Sequence, residues 1–123
     1  MTMAVPVLPV SDLEISIAFY RDRFGFQLGY QEGGVYAIVH RNGAEIHLSQ
    51  DSSGRTGRAY VFCSGIDELA AQFQEVGLSL ELEVKTQGYG IREFIVYDLD
   101  GNRIGFGEVL GVSSESSVAG GLD

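Results

Sequence analysis

At 123 residues, 45% of them hydrophobic, the chain fits one domain large enough to bury a working core without disulfides or metal staples. A formal charge of −9 argues against a nucleic-acid partner, because neutralising phosphates takes a concentration of Lys and Arg that eight such residues do not supply. The single cysteine, Cys63, rules out an internal disulfide and fits a reducing compartment.

The first ten residues carry no basic segment, and Pro6 and Pro9 break their apolar run. No apolar run elsewhere is long enough to span a bilayer, so a cytoplasmic protein without membrane association is expected. Val5-Pro6-Val7-Leu8 reads as a short strand whose proline, lacking a ladder donor, suits an edge, a bulge or a strand end. Ser11-Asp12-Leu13-Glu14 fits a capping box, with Ser11 as the cap. Leu13, Ile17, Tyr20 and Phe24 follow at helical spacing, which predicts a helix over about 12–24 closed by Gly25. Three strands are then expected at 26–31, 35–41 and 44–49, divided by Gly33-Gly34 and by the hairpin pair Asn42-Gly43. The polar, glycine-bearing stretch 51–57 is the natural midpoint.

The second half begins with a predicted strand at 58–64. A helix at 66–76 follows, with Leu69, Phe73 and Val76 on one face and Gly77 closing it. Leu78, Leu80, Leu82 and Val84 alternate with polar residues and predict a strand over 78–84. The last unit, 92–106, reads as a β-hairpin turning on Asp98-Leu99-Asp100-Gly101-Asn102. Residues 111–123, rich in serine and glycine, have little to bury and are expected to form a flexible tail without a role of their own.

Both halves therefore read strand, helix, three strands. The repeat surfaces in the sequence as Gly43-x-x-Ile46-x-Leu48 against Gly101-x-x-Ile104-x-Phe106. An α+β domain over 1–110 follows, with module 1 at about 4–50 and module 2 at about 57–109. Neither module can bury its sheet alone, so the two are expected to form one curved eight-stranded sheet with helices outside and a concave ligand face within. By alternation Ile46, Leu48, Ile104 and Phe106 share one face, and His47 and Gly105 take the other.

This repeat, closed by DLDGNRIGF, resembles the vicinal oxygen chelate superfamily, which includes glyoxalases, extradiol dioxygenases, fosfomycin-modifying enzymes and bleomycin resistance proteins. The resemblance covers about 5–109. For the metal-dependent branches it implies ligands at Val5, His47, Tyr60 or Ala59, and Gly105. Of these only His47 suits such an ion, whereas a zinc, manganese or iron site needs three or more converging donors. That departure matches the bleomycin resistance branch. So do Val5-Pro6-Val7-Leu8, Arg23-Phe24-Gly25-Phe26, Gly65-Ile66-Asp67-Glu68-Leu69 and the Arg92-Glu93-Phe94 that leads into the last turn.

The resemblance then implies a non-catalytic homodimer that sequesters one bleomycin-type glycopeptide in each of two clefts between subunits. It has no cofactor of its own, any metal arriving on the drug, and Pro6 helps the first strand to cross to the partner. Aromatic residues of the cleft map onto Tyr30, Tyr36, Tyr60 and Tyr89, whose faces stack on a flat heterocycle for roughly 0.5 to 1.5 kcal/mol each beyond area burial. Glu32, Asp51 and Glu93 are the carboxylates placed to meet a cationic tail. Two alternatives stand beside this reading: a metal-dependent lyase or dioxygenase of the same superfamily, and a binding protein for another flat cationic molecule.

Overall fold

The computed structural model describes residues 1–111, so the expected tail lies outside the described residues, Gly111 aside. Module 1 comprises β1 (Val7–Val10), α1 (Leu13–Asp22), β2 (Gln27–Glu32), β3 (Tyr36–Arg41) and β4 (Ala44–Gln50). Module 2 repeats the order with β5 (Arg58–Phe62), α2 (Ile66–Glu75), β6 (Leu82–Thr86), β7 (Ile91–Tyr97) and β8 (Arg103–Val109). The expected repeat is present, with its eight strands divided into two four-stranded sheets, β1-β4-β3-β2 and β5-β8-β7-β6. In each sheet the first strand runs parallel to the last and the remaining pairs are antiparallel.

Three local expectations shift for physical reasons. The first strand starts at Val7 rather than Val5, because Pro6 contributes only its carbonyl, which accepts from the His47 amide at 3.0 Å. The register then sets Val7 opposite His47. Helix α1 is capped by Asp12, whose side chain accepts from the Ile15 amide at 3.1 Å. Ser11 is drawn away from the capping box: its amide and hydroxyl both donate to Asp100 Oδ1, at 2.9 and 2.6 Å. The alternating leucines at 78–84 make a strand only from Leu82. The Leu78 amide instead closes α2 on the Phe73 carbonyl at 2.9 Å, and Leu78 and Leu80 pack onto the core.

The core is one cluster shared by both modules. Leu13, Ile17 and Tyr20 of α1 and Ile66, Ala70 and Phe73 of α2 cover the sheet face formed by Ala37, Val39, Ile46, Leu48, Phe94, Val96, Ile104 and Phe106. Phe24, which follows α1, packs its ring 5.4 Å from Phe73 and 6.2 Å from Phe106 and so carries module 1 into the aromatic cluster of module 2.

The turn 98–102 closes the same seam with hydrogen bonds. Asp98 is buried and accepts four: from the Tyr20 hydroxyl and Asn102 Nδ2 at 2.8 Å, and from the Asp100 and Asn102 amides at 2.9 Å. Asn102 also donates to the Pro9 carbonyl at 2.8 Å and accepts from the Gly57 amide at 2.7 Å. The Pro9 carbonyl of β1, a strand that two prolines flank or occupy, is thereby bonded to module 2. Burial, and after it the charge of Asp98, pushes the Tyr20 phenol well above its ordinary value, which keeps this hydroxyl a donor.

Candidate functional site

With one face of each sheet committed to the core, the opposite faces are where a ligand can be met. Cross-strand register places Tyr30, Ile38, His47 and Val7 in one row of that face in module 1, and Glu32, Tyr36 and Ser49 in the next. In module 2 the corresponding rows are Tyr60, Gly105 and Ile95, then Phe62, Gly107 and Glu93.

Tyr60 lies flat across β8. A Cβ on Gly105 would stand 2.6 Å from Tyr60 Cδ1, and one on Gly107 would stand 2.1 Å from the Tyr60 hydroxyl oxygen. The two glycines are thus a seat that only a bare backbone provides. Lying there, the ring crosses β8 to reach β7, where its hydroxyl donates to Glu93 Oε1 at 2.6 Å. Tyr89, in the turn before β7, donates to the other carboxylate oxygen, also at 2.6 Å. Glu93 is only 7% exposed, so these two bonds replace the water it has lost. Burial works to raise the Glu93 carboxyl. The hydrogen bonds from Tyr60, Tyr89 and Gln87 and the charge of Arg103 outweigh it and leave the group below its ordinary value. Tyr60 is pushed far up, by burial first and by its bond to Glu93 second, and Tyr89 is raised chiefly by the same carboxylate. A depression of about 560 Å³ opens here, lined by Arg58, Ala59, Tyr60, Tyr89, Glu93, Ile95, Arg103 and Gly105.

Module 1 presents a different group. The Tyr36 hydroxyl lies 2.6 Å from His47 Nδ1, and His47 Nε2 lies 2.7 Å from Glu45 Oε2. The carboxylate can only accept, so in the neutral imidazole the proton sits on Nε2, and the bare Nδ1 takes the proton offered by Tyr36. Tyr36 and His47 also meet edge to face, with centroids 5.4 Å apart. Both nitrogens of the one histidine at a family metal position are thus engaged, and among the described residues no three His, Cys, Asp or Glu side chains converge. The structure also moves the first expected ligand position, since Val7 and not Val5 stands beside His47.

Of the seven residues expected to bind, Tyr60, Tyr89 and Glu93 form one bonded cluster, and Tyr30, Tyr36 and Glu32 share the open face of module 1. Asp51 is not brought to either group. Its carboxylate accepts from the Ser53 amide at 2.9 Å and from Arg55 at 3.2 Å, and the Ser53 bonds, ahead of the Arg55 charge, hold it below the ordinary carboxylate value. Cys63 is half-buried, and burial pushes its thiol up, away from the reactive thiolate. The residues that sequence reading passed over are Glu45, Gly107 and Phe62. The Gly105-x-Gly107 spacing was the available signal, since two glycines on one face of a strand mark a place where something lies against the backbone.

The sequence model of the Glyoxalase/Bleomycin resistance protein/Dioxygenase superfamily matches residues 2–106. Bleomycin resistance proteins of Geobacillus stearothermophilus and Staphylococcus aureus are 34% identical over 127 residues, an alignment covering 86% of this chain and 96% of theirs. Among solved structures, the bleomycin-binding protein of Streptomyces verticillus, crystallised with copper(II)-bleomycin, superposes with a TM-score of 0.75 at 25% identity, covering 90% of this chain and 97% of that one. A lactoylglutathione lyase from Agrobacterium tumefaciens shares the fold at a TM-score of 0.72 and 20% identity, over 88% of this chain and 94% of that one. A match over most of the chain, on a fold already described strand by strand, places the protein in the glyoxalase/bleomycin resistance protein/dioxygenase superfamily.

Proposed function

We propose that this protein binds a bleomycin-type glycopeptide and sequesters it without altering it. The observation that carries the reading is the pair of ring faces, Tyr60 and Tyr89, held on one buried carboxylate in a face that the core leaves open. The 34% identity to bleomycin resistance proteins over nearly their whole length supports the choice of ligand. A flat bithiazole stacks on such rings, and the chain's charge of −9 attracts a cationic tail. Micromolar binding corresponds to about 8 kcal/mol, which four tyrosine faces and ordinary apolar burial can supply together.

In this reading the working unit is a homodimer. The open face of module 1, with Tyr30 and Tyr36, closes over that of the partner's module 2, with Tyr60 and Tyr89. Val7 and Phe62 are exposed on the open faces of β1 and β5, and closing those faces over the partner's covers them. Pro6, where the β1 ladder stops, is the position at which the first strand can leave its own sheet for the partner's. The protein is a binder rather than an enzyme in this account, a reading supported by its 34% identity to bleomycin resistance proteins.

Calorimetric titration with bleomycin, with and without copper, tests the reading. One drug per chain is expected, recovered chemically intact by mass spectrometry, with binding weakened at least tenfold in Tyr60→Ala and in Tyr89→Ala. Absence of saturable binding, or a drug recovered with changed mass, overturns it.

A further inference from the structure

A phenolic hydroxyl can donate or accept, and a ligand normally decides which. On the open faces of this protein three tyrosines have lost that choice. Tyr60 and Tyr89 direct their protons to the two oxygens of Glu93, each at 2.6 Å. The carboxylate has nothing to offer in return but lone pairs. In the neutral imidazole Tyr36 directs its proton to His47 Nδ1 at 2.6 Å, because Glu45, 2.7 Å from Nε2, sets the tautomer that makes Nδ1 an acceptor. What each hydroxyl still presents to the cleft is an oxygen lone pair. Turning the Tyr60 proton from Glu93 to a ligand would leave an oxygen of the 7%-exposed carboxylate without a partner, which the surrounding structure resists.

We propose that Tyr36, Tyr60 and Tyr89 form an acceptor-only set, so that the site selects ligands by their N–H donors and not by charge alone. The chemical class is a flat ring bearing a primary ammonium, amidinium or amide; a cation without N–H protons is discriminated against. Arg58 and Arg103, opposite one another across β5 and β8, border the same depression and are donors only. They give the site a direction, with the ligand's donor end at the tyrosines and its acceptor end at the arginines. The inference rests on these faces being the ligand site and goes beyond it, because net charge by itself attracts every cation equally.

Two bithiazole probes separate the effects, one ending in a propylammonium and the other in a propyl-trimethylammonium of the same charge. Isothermal titration of both, beside bleomycin, is expected to show the primary ammonium binding at least tenfold more tightly. The Tyr60→Phe/Tyr89→Phe double variant keeps both rings and loses most of that ratio. Glu93→Gln lowers the ratio as well, because the amide it installs donates to one tyrosine and releases that tyrosine's proton into the cleft. Equal binding of the two probes, or binding of neither, overturns the proposal, as does a ratio unchanged in the double variant. Bleomycin binding without the probe preference removes this inference and leaves sequestration standing. The preference without bleomycin binding does the reverse.

Discussion

The two modules share strand order and register, yet they fill the same place on the open face in opposite ways. In module 1 the small Val7 faces the large His47; in module 2 the large Tyr60 faces the bare Gly105. Two residues further on, at the next pair on that face, Pro9 and Ser49 correspond to Phe62 and Gly107. The bulk comes from the last strand in one module and from the first in the other. A cross-strand pair therefore behaves as a single volume, which either partner can fill. The consequence is chemical as well as steric: the imidazole of module 1 meets Tyr36 from the antiparallel side, whereas the empty seat of module 2 lets Tyr60 lie down and reach Glu93. Their turns divide in the same manner. Asn42-Gly43 is an exposed hairpin, while 98–102 is locked into module 1.

The turns offer the sharpest break of that comparison. Asp98→Ala withdraws four hydrogen bonds from a buried position and strands the Tyr20 hydroxyl and Asn102, for an expected loss of about 3 kcal/mol in urea unfolding. Asn42→Ala in the other turn removes only the residue best suited to a φ of 55° and is expected to cost about 1 kcal/mol. Equal losses would mean that the latch across the seam has been misread.

Next in size is the seat itself. Gly107→Ala puts a methyl where the Tyr60 hydroxyl lies, with an expected overpacking cost of about 1 to 3 kcal/mol and a weakened drug titration. Ser49→Ala, at the matching place in module 1, is expected to stay within about 0.5 kcal/mol. Adding Tyr60→Ala to Gly107→Ala tests the cause, because the stability cost of the methyl should largely vanish once the ring is gone.

The smallest expected effect concerns pH. Glu93 titrates lower in the folded protein than the ordinary 4.5, so on acidification the unfolded chain takes up the proton first. The stability it contributes is complete above pH 4.5 and is lost as pH falls through the folded value. Melting temperatures from pH 6 to pH 2.5 are therefore expected to fall more steeply for the native protein than for Glu93→Gln. Parallel curves would place the acid sensitivity elsewhere.

Much of this was legible in the residues because it depends on near neighbours. The order of elements, the faces taken by Ile46, Leu48, Ile104 and Phe106, and the candidacy of Tyr60, Tyr89 and Glu93 all follow from periods of two or of three to four residues together with a family pattern. Ser11 shows where such reading stops. Its local partner was Glu14, three residues away, and its actual partner is Asp100, which chain distance does not reveal. Asp51 is the opposite case, since its carboxylate bonds Ser53 and Arg55 close by in the same connector.

By itself, then, the sequence determined which elements form, in what order, and which side of each strand a residue occupies, because those are set by spacing along one segment. Only the tertiary structure decided which side chains meet. The parallel register of β5 on β8 lays Tyr60 over Gly105 and Gly107, and the antiparallel register of β7 brings Glu93 beneath its hydroxyl. Hydrogen-bond direction is a property of such pairs and not of any residue alone, so the acceptor character of the site emerges only once the strands have docked.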